Sequence, residues 1–313
     1  MMPLKSVAIE SIQQSFPTLV QILGESWIIE TPEWEQFLAK HWFWFQQLNR
    51  DLEVLATRIA VARLIQCYRS ALQVQDVRRV ADLLYEIHGI ALLSKSATEI
   101  ELHVPLRQST GRRFHVRVVI EGTVINAHSK THLCLLSQRT SFGIRESRAD
   151  PHAEPANGSV YGSTGLNAPS AQLPGWTSDH AMPESAKIRE RLAACVECRL
   201  PSSNCNLILF GHEERGRSNL ERALYGAEIC TTRWDQNAQK VLVEWGREQT
   251  GAFRAREKRF RGLSGVLGVH VAVSPPRLSR SYRLYLNHYA FARLPPGVIE
   301  TITKVMKTET VSP

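Results

Sequence analysis

The sequence predicts an α/β protein with a mixed central sheet, flanking helices and a helical N-terminal extension. Apolar residues recur at helical spacing through the first third of the chain, and after Ser96 this period gives way to the alternation typical of strands. Helical segments then return between short strands, and helices mixed with an antiparallel meander indicate a sheet flanked by helices. With 313 residues, 43% of them hydrophobic, the chain is long enough for one large domain or two modest ones.

A helical extension is predicted over residues 1–75. Thr31-Pro32-Glu33 is typical of a helix N-terminus, and a dense aromatic cluster follows between Trp34 and Phe45. We expect these aromatic side chains to pack in a core or to mediate contact with a protein partner or a second copy. A second long helix is predicted over residues 51–72.

The remaining residues, 76–313, are predicted to form one domain. A helix with apolar residues at helical spacing precedes three strands, and a Pro-, Gly- and Ser-rich segment at about 146–185 indicates a long, mobile insertion. Further elements follow in the order helix, strand, short helix, two strands and a last helix. Those elements are expected at 184–200, 204–211, 218–226 (N-capped by Ser218 and closed by Gly226), 265–273, 281–287 and 294–306.

The hairpin between Arg113 and Leu133 brings polar side chains together. If Glu121-Gly122 is a two-residue turn, Arg117 faces Asn126, and Arg113 faces Lys130 further along. The same register sets His115 opposite His128, and directly opposed side chains lie about 5 Å apart, close enough to share a ligand. One face is therefore predicted to carry His115, Arg117, Asn126, His128, Lys130 and His132.

The order helix–strand–strand–strand–helix–strand, with LYEIHGIALLS, IELHVPL, RFHVRVVIEG and VINAHSKT, resembles the PD-(D/E)XK nuclease superfamily, which has the restriction-endonuclease-like fold. The resemblance covers about residues 76–211. It implies a helix acid at Glu86, a strand acid at the position of His115, and an acid-x-Lys motif at the positions of His128 and Lys130. In the family the acids hold Mg²⁺, which activates a water, and the lysine assists.

Histidines stand at both central acid positions, which changes the metal chemistry. Mg²⁺ prefers oxygen ligands, so Glu86, His115 and His128 are poor substitutes for three carboxylates. The same three side chains suit Zn²⁺, Mn²⁺ or Fe²⁺ as a two-histidine, one-carboxylate set. Thus a divalent metal (Zn, Mn or Mg) is the one cofactor that the resemblance implies.

Three functions stay open at this point. The first is a nuclease-like protein that has lost cleavage and binds nucleic acid. The second is an active metal-dependent nuclease or phosphodiesterase in which Lys130 stabilises the phosphate and Glu86 takes part in catalysis as a metal ligand. The third is a structural or interaction protein that assembles through the aromatic N-terminal helix.

Charge favours DNA as the partner. The formal net charge is +8, and one basic cluster, which includes Arg113 and Arg117 as nucleic-acid-binding candidates, surrounds the presumed active face. The second cluster, Arg247 to Gly262, interleaves arginines with Phe253 and Phe260 and is either a phosphate-binding stretch or a solvated helix face.

The remaining motifs are less specific. Cys195-x-x-Cys198 with Cys205, and Cys230 or His212 as a fourth ligand, would be a zinc site, but free thiols are the ordinary interpretation. His103 and His132 extend the histidine cluster around the hairpin. No stretch approaches the roughly 20 apolar residues of a membrane helix, and the start lacks a signal peptide, so a cytoplasmic location without a membrane is expected.

Overall fold

The computed structural model describes residues 12–24, 45–72, 77–105, 113–132, 184–196, 200, 203–212, 216–235, 240–274 and 277–310. The helices are α1 (Pro17–Leu23), α2 (described over 45–56), α3 (Val61–Leu72), α4 (Val77–Ser96), α5 (Glu184–Val196), α6 (Gly216–Tyr225) and α7 (Pro296–Glu309), with a 3₁₀ helix at Lys258–Gly262. The strands are β1 (Glu99–Pro105), β2 (Arg113–Ile120), β3 (Thr123–His132), β4 (Cys205–His212), β5 (Glu228–Asp235), β6 (Lys240–Arg247), β7 (Gly265–Ser274) and β8 (Arg277–Leu286).

The predicted α/β class is confirmed: six strands form one mixed sheet in the order β1–β2–β3–β4–β7–β8, with helices packed against it. β1, β2 and β3 are an antiparallel meander, β4 and β7 run parallel to β3, and β8 returns antiparallel to β7. The chain passes through α4, β1, β2, β3, α5 and β4 in the predicted order.

The middle of helix α4 is buried on all sides. Its residues 83–94 are all buried, because β2, β3, β4 and β7 lie on one side of it and α3 and α7 on the other. Gly211 of β4 allows the close approach, since a Cβ there would lie 2.4 Å from Cγ of Tyr85. The polar side chains of α4 must therefore find partners inside the protein, and this requirement positions Glu86 and His88.

The helices before residue 75 share a core with the sheet. Phe16, Leu48, Leu52 and Tyr68 belong to the same buried hydrophobic cluster as α4 and the α4-facing side of the sheet. A second cluster, built from α5, α6, the 3₁₀ helix and neighbouring residues, covers the other face of β4 and β7.

A buried ion-pair network ties this N-terminal region to the end of the chain. Arg280 of β8 donates to both carboxylate oxygens of Asp51 in α2, at 3.0 and 2.7 Å, and to Glu309 of α7 at 2.8 Å. Asp51 also contacts Nδ1 of His88 on α4. Burial alone would raise the pKa of Asp51, but the hydrogen bonds and charges of His88 and Arg280 outweigh it and hold that pKa below its usual value.

The single helix predicted over residues 51–72 is wrong, because the chain turns at 57–60 between α2 and α3. Two hydrogen bonds lie at this turn. The Thr57 hydroxyl donates to the carbonyl of Val54 in the last turn of α2, and the Arg58 guanidinium donates to the carbonyl of Ala97 beyond α4. Helix α6 begins at Gly216 rather than after Ser218, and it ends as predicted at Gly226, whose φ is +86°.

The sequence also gave no indication of the β5–β6 hairpin, which pairs only with itself among the described strands. Two of its apolar residues are largely exposed, Trp245 by 74% and Val243 by 52%. The aromatic helix predicted from Trp34 lies outside the described residues except for Phe45, which is buried against Phe16. Most of the predicted insertion at about 146–185 likewise lies outside them.

None of the described helices has the length and apolar character needed to cross a membrane.

Candidate functional site

The β2–β3 hairpin has the predicted turn and register. Glu121 and Gly122 both have positive φ, +48° and +69°, as a tight two-residue hairpin turn requires, and Ile120 pairs with Thr123. Arg117 pairs with Asn126, as expected. The alternate residues Val116 and Val118 are fully buried against α4, so the polar alternate positions lie on the other face.

The two strands separate where the predicted site begins. Regular pairing of β2 with β3 ends at Val116 and Ala127, while β3 continues beside β4 as far as His132. His115 and His128 are the next residues beyond this point, and their ring centroids lie 5.7 Å apart. At the opening, the backbone N–H of Ser129 lies 3.3 Å from Nδ1 of His115.

Glu86 reaches this opening from α4. Its carboxylate is 6% exposed, and Oε2 lies 2.5 Å from Nδ1 of His115. An ionised carboxylate can only accept a hydrogen bond, so Nδ1 of His115 is the N–H donor in this contact. Burial raises the pKa of Tyr68 on α3 far above its usual value, and the nearby charge of Glu86 adds to the shift.

His128 is held neutral. Burial lowers its pKa to about 3, with smaller contributions from the charges of His115 and Lys130. Its side chain is 8% exposed, whereas Lys130, two residues further along the strand, is exposed. The structure thus brings Glu86, His115 and His128 together, with Lys130 at the solvent edge of the same strand.

Arg117 and Arg113 are the predicted nucleic-acid-binding residues of this hairpin. Arg117 is partly exposed. Its Nη1 lies 3.6 Å from Oε2 of Glu101, and its Nε lies 3.3 Å from Oδ1 of Asn126. The backbone of Arg113 is part of β2, but its side chain lies outside the described residues, as do those of His103 and His132. Thus Arg117 is engaged with neighbouring strands, and the role predicted for Arg113 stays a prediction.

The donor set does not fit Mg²⁺. One carboxylate and two imidazoles supply too few oxygen ligands for this ion, and the carboxylate is already hydrogen-bonded to one of the imidazoles. Across the part of the chain that the structure describes, no three His, Cys, Asp or Glu side chains are grouped so as to hold a metal ion. As placed, Glu86 and His115 are partners of one another rather than joint ligands.

The neutral state of His128 has a measurable consequence for stability. A histidine in the unfolded chain has a pKa of about 6.5. The folded value is about 3, so the unfolded chain binds more protons between these two pH values and stability falls as the pH drops through that window. When the pH falls from about 7 to about 5, the free energy of unfolding should decrease in both proteins. We expect the decrease to be about 2 kcal/mol larger in the wild type than in the His128→Gln variant.

Urea unfolding at both pH values measures this difference, and any constant cost of the substitution cancels in the comparison. Equal losses in the two proteins would show that His128 is not a buried neutral histidine.

A polar row crosses the sheet from this site, and only its Arg117–Asn126 pair was predicted from the sequence. Glu101, Arg117, Asn126 and Asn206 occupy matching positions on β1 to β4, and Nδ2 of Asn126 lies 3.4 Å from Oδ1 of Asn206. Asn206 in turn donates to the carbonyl of Gly262 at 2.8 Å. The alternation of polar and apolar residues along each strand is visible in the sequence, but the register of β1, β3 and β4 relative to one another is not.

A second missed feature is a row of histidines across the parallel strands. Positions 132, 212 and 270 are in register on β3, β4 and β7. The rings of His212 and His270 lie 5.4 Å apart, and Nδ1 of His270 lies 3.2 Å from the carbonyl oxygen of His212. Both side chains are buried at this end of the sheet.

The predicted zinc site at the cysteines has no support in the described residues. Cys195 is buried in α5, and the Cys205 thiol on β4 lies 3.4 Å from the carbonyl oxygen of Arg293. Cys230 is exposed, and Cys198 lies outside the described residues.

Comparisons of the chain with protein-family models, with curated proteins and with solved structures gave no match.

Proposed function

We propose that this chain is a nucleic-acid-binding protein built on a restriction-endonuclease-like core, with a nuclease site that does not cleave. One observation carries the proposal: the carboxylate of Glu86 is bound by Nδ1 of His115 at 2.5 Å. In a Mg²⁺-dependent site of this family, that carboxylate and an acid at position 115 would face a shared ion. Here an imidazole takes the place of both the second acid and the ion.

The element order supports the core assignment. α4, the meander β1–β2–β3, α5 and β4 follow one another as the resemblance requires. Glu86, His115, His128 and Lys130 also lie around the opening between β2 and β3, at the positions that correspond to the motif of the family.

The state of the side chains supports the loss of cleavage. Hydrolysis of a phosphodiester needs an activated water and compensation for charge on the phosphate, which a metal held by carboxylates supplies. His128 has little basicity because its pKa is about 3, so it is a poor proton acceptor near neutral pH. Lys130 is left as an exposed cation that can contact a phosphate without assisting cleavage.

The charge distribution supports binding. The chain carries 38 Lys and Arg against 30 Asp and Glu. Contacts between cationic side chains and phosphates release counterions, so such binding weakens as salt increases.

A binding experiment tests the proposal. The full chain is titrated into labelled duplex and single-stranded DNA in EDTA and in Mg²⁺, at low and moderate salt. We expect the dissociation constant to rise at least about tenfold between roughly 50 and 200 mM salt. We also expect no dependence on Mg²⁺, because the described residues contain no carboxylate set to hold the ion. Absence of binding to both nucleic acids at low salt, or binding that requires Mg²⁺, would contradict the proposal.

A further inference from the structure

Two segments that are distant in the sequence meet where β4 and β7 begin. The first is the basic segment 254–262, which ends in the 3₁₀ helix, and the second is the loop 287–293 after β8. The backbone N–H of Phe291 donates to the carbonyl of Arg261 at 2.8 Å. The side-chain amide of Asn287 donates to the carbonyls of Phe260 and Leu263 at 3.0 and 2.9 Å. The two segments therefore form one continuous surface.

The exposed aromatic residues of this surface are not those that the basic segment itself contains. Phe253 and Phe260 are 3% and 0% exposed and belong to the core between α5 and the sheet. Tyr289 and Phe291, contributed by the loop, are 46% and 65% exposed. Aromatic rings exposed on a basic surface provide faces on which bases can stack.

Cations dominate the same surface. The two segments carry six Arg or Lys residues and one acid, Glu257: the cations are Arg254, Arg256, Lys258, Arg259, Arg261 and Arg293. Lys258, Arg259 and Arg293 are exposed. The local charge is complementary to a chain of phosphates.

Buried hydrogen bonds fix the loop that carries the aromatic rings. Asn287, 3% exposed, accepts the backbone N–H of Tyr289 at 3.0 Å. The hydroxyl of Ser264 donates to the carbonyl of Ala292 at 2.6 Å and accepts the backbone N–H of Asn206 at 2.8 Å. Because this loop is held from both sides, little conformational freedom remains to be lost when a ligand binds.

We infer that this basic–aromatic patch (Lys258, Arg259, Arg261, Tyr289, Phe291 and Arg293) binds single-stranded nucleic acid. Bases would stack on Tyr289 and Phe291 while phosphates contact the surrounding cations. A duplex keeps its bases stacked on each other, so the exposed rings favour a single strand over a duplex. The inference rests on the proposed function and adds to it a surface and a class of nucleic acid.

Aromatic substitutions test the stacking. Fluorescence anisotropy is measured with the full chain and a labelled oligothymidylate of about 20 nucleotides. This length exceeds the roughly 4–16 nucleotides that one single-strand-binding OB fold covers. We expect Phe291→Ala to weaken binding about tenfold and Tyr289→Ala/Phe291→Ala to weaken it further. Trp245→Ala is the matched control, because Trp245 is the 74% exposed aromatic of the separate hairpin. This control should bind as the wild type does.

Charge reversals test the electrostatic part. Lys258→Glu/Arg259→Glu and Lys304→Glu/Lys307→Glu change the net charge equally, and the second pair is exposed on α7, outside the patch. The first variant should lose at least about tenfold in affinity and the second less than about threefold. Equal losses would mean that only overall charge matters, and they would overturn the patch assignment.

The outcomes separate this inference from the proposed function. If the wild type binds no nucleic acid, both fail. If it binds DNA but the aromatic variants and the patch charge reversal bind as the wild type does, only the inference fails. Preference for duplex over single-stranded DNA, or equally tight binding of polyglutamate, would also overturn the inference, because neither duplex DNA nor an acidic peptide offers free bases for stacking.

Discussion

Replacing Arg280 by methionine is expected to lower the free energy of unfolding by about 3–5 kcal/mol, because removing one partner of a buried ion pair leaves the other charge uncompensated. Arg280 is 2% exposed and holds both oxygens of Asp51, which is equally buried. His88 remains in contact with Asp51 and limits the loss. Urea unfolding at neutral pH measures the effect.

Arg283→Met is the matched control. Arg283 lies on the same strand, but its side chain is 46% exposed, and its pair with Glu221 at 3.1 Å is a surface contact that contributes about 1 kcal/mol or less. Adding Asp51→Asn to Arg280→Met should recover part of the loss, since it removes the unpaired carboxylate. A loss in Arg280→Met no larger than that of Arg283→Met would show that the network does not hold α2 to the C-terminal part of the chain.

The double substitution His115→Asp/His128→Glu is expected to produce Mg²⁺-dependent DNA cleavage at least about 100-fold above the wild type, a factor typical of restoring one electrostatic component of an active site. With Glu86 it would supply three carboxylates around the opening between β2 and β3. Without metal these carboxylates repel one another, so Mg²⁺ should also raise the thermal stability of this variant and not that of the wild type. Cleavage of supercoiled DNA and thermal unfolding with and without Mg²⁺ measure both effects.

His115→Asn/His128→Gln is the matched control for that experiment, because it removes the same imidazoles without adding carboxylates. Adding Lys130→Ala to the double substitution should abolish the gained cleavage and leave the Mg²⁺ stabilisation. If Mg²⁺ neither stabilises the double variant nor supports cleavage, the opening between the strands does not correspond to a nuclease site.

Local features could be predicted from the sequence. The turn at Glu121-Gly122 and the alternation on either side determine which residues of β2 and β3 share a face, and both depend on neighbours only a few residues away. The apolar spacing of α4 likewise predicts the burial of Leu84 and Ile87, although not that of the polar residues Glu86 and His88.

Contacts between distant segments could not be predicted in the same way. The pairing of Asp51 with Arg280 joins residues 229 apart, and nothing local distinguishes this pair among 38 cations and 30 acids. The basic segment illustrates the same difficulty. Its own aromatic residues face the core, and the exposed rings of the adjoining surface come from a loop after β8.

Cleavage assays of the wild type in Mg²⁺, Mn²⁺ and Zn²⁺, with Lys130→Ala as the reference, test the central claim most directly. The assay also separates the claim from the alternative in which Glu86, His115 and His128 bind a metal other than Mg²⁺. We expect the wild type to cleave no faster than Lys130→Ala in any of the three metals, although both remain folded. Cleavage by the wild type that is lost in Lys130→Ala would contradict the account and identify an active metal-dependent nuclease.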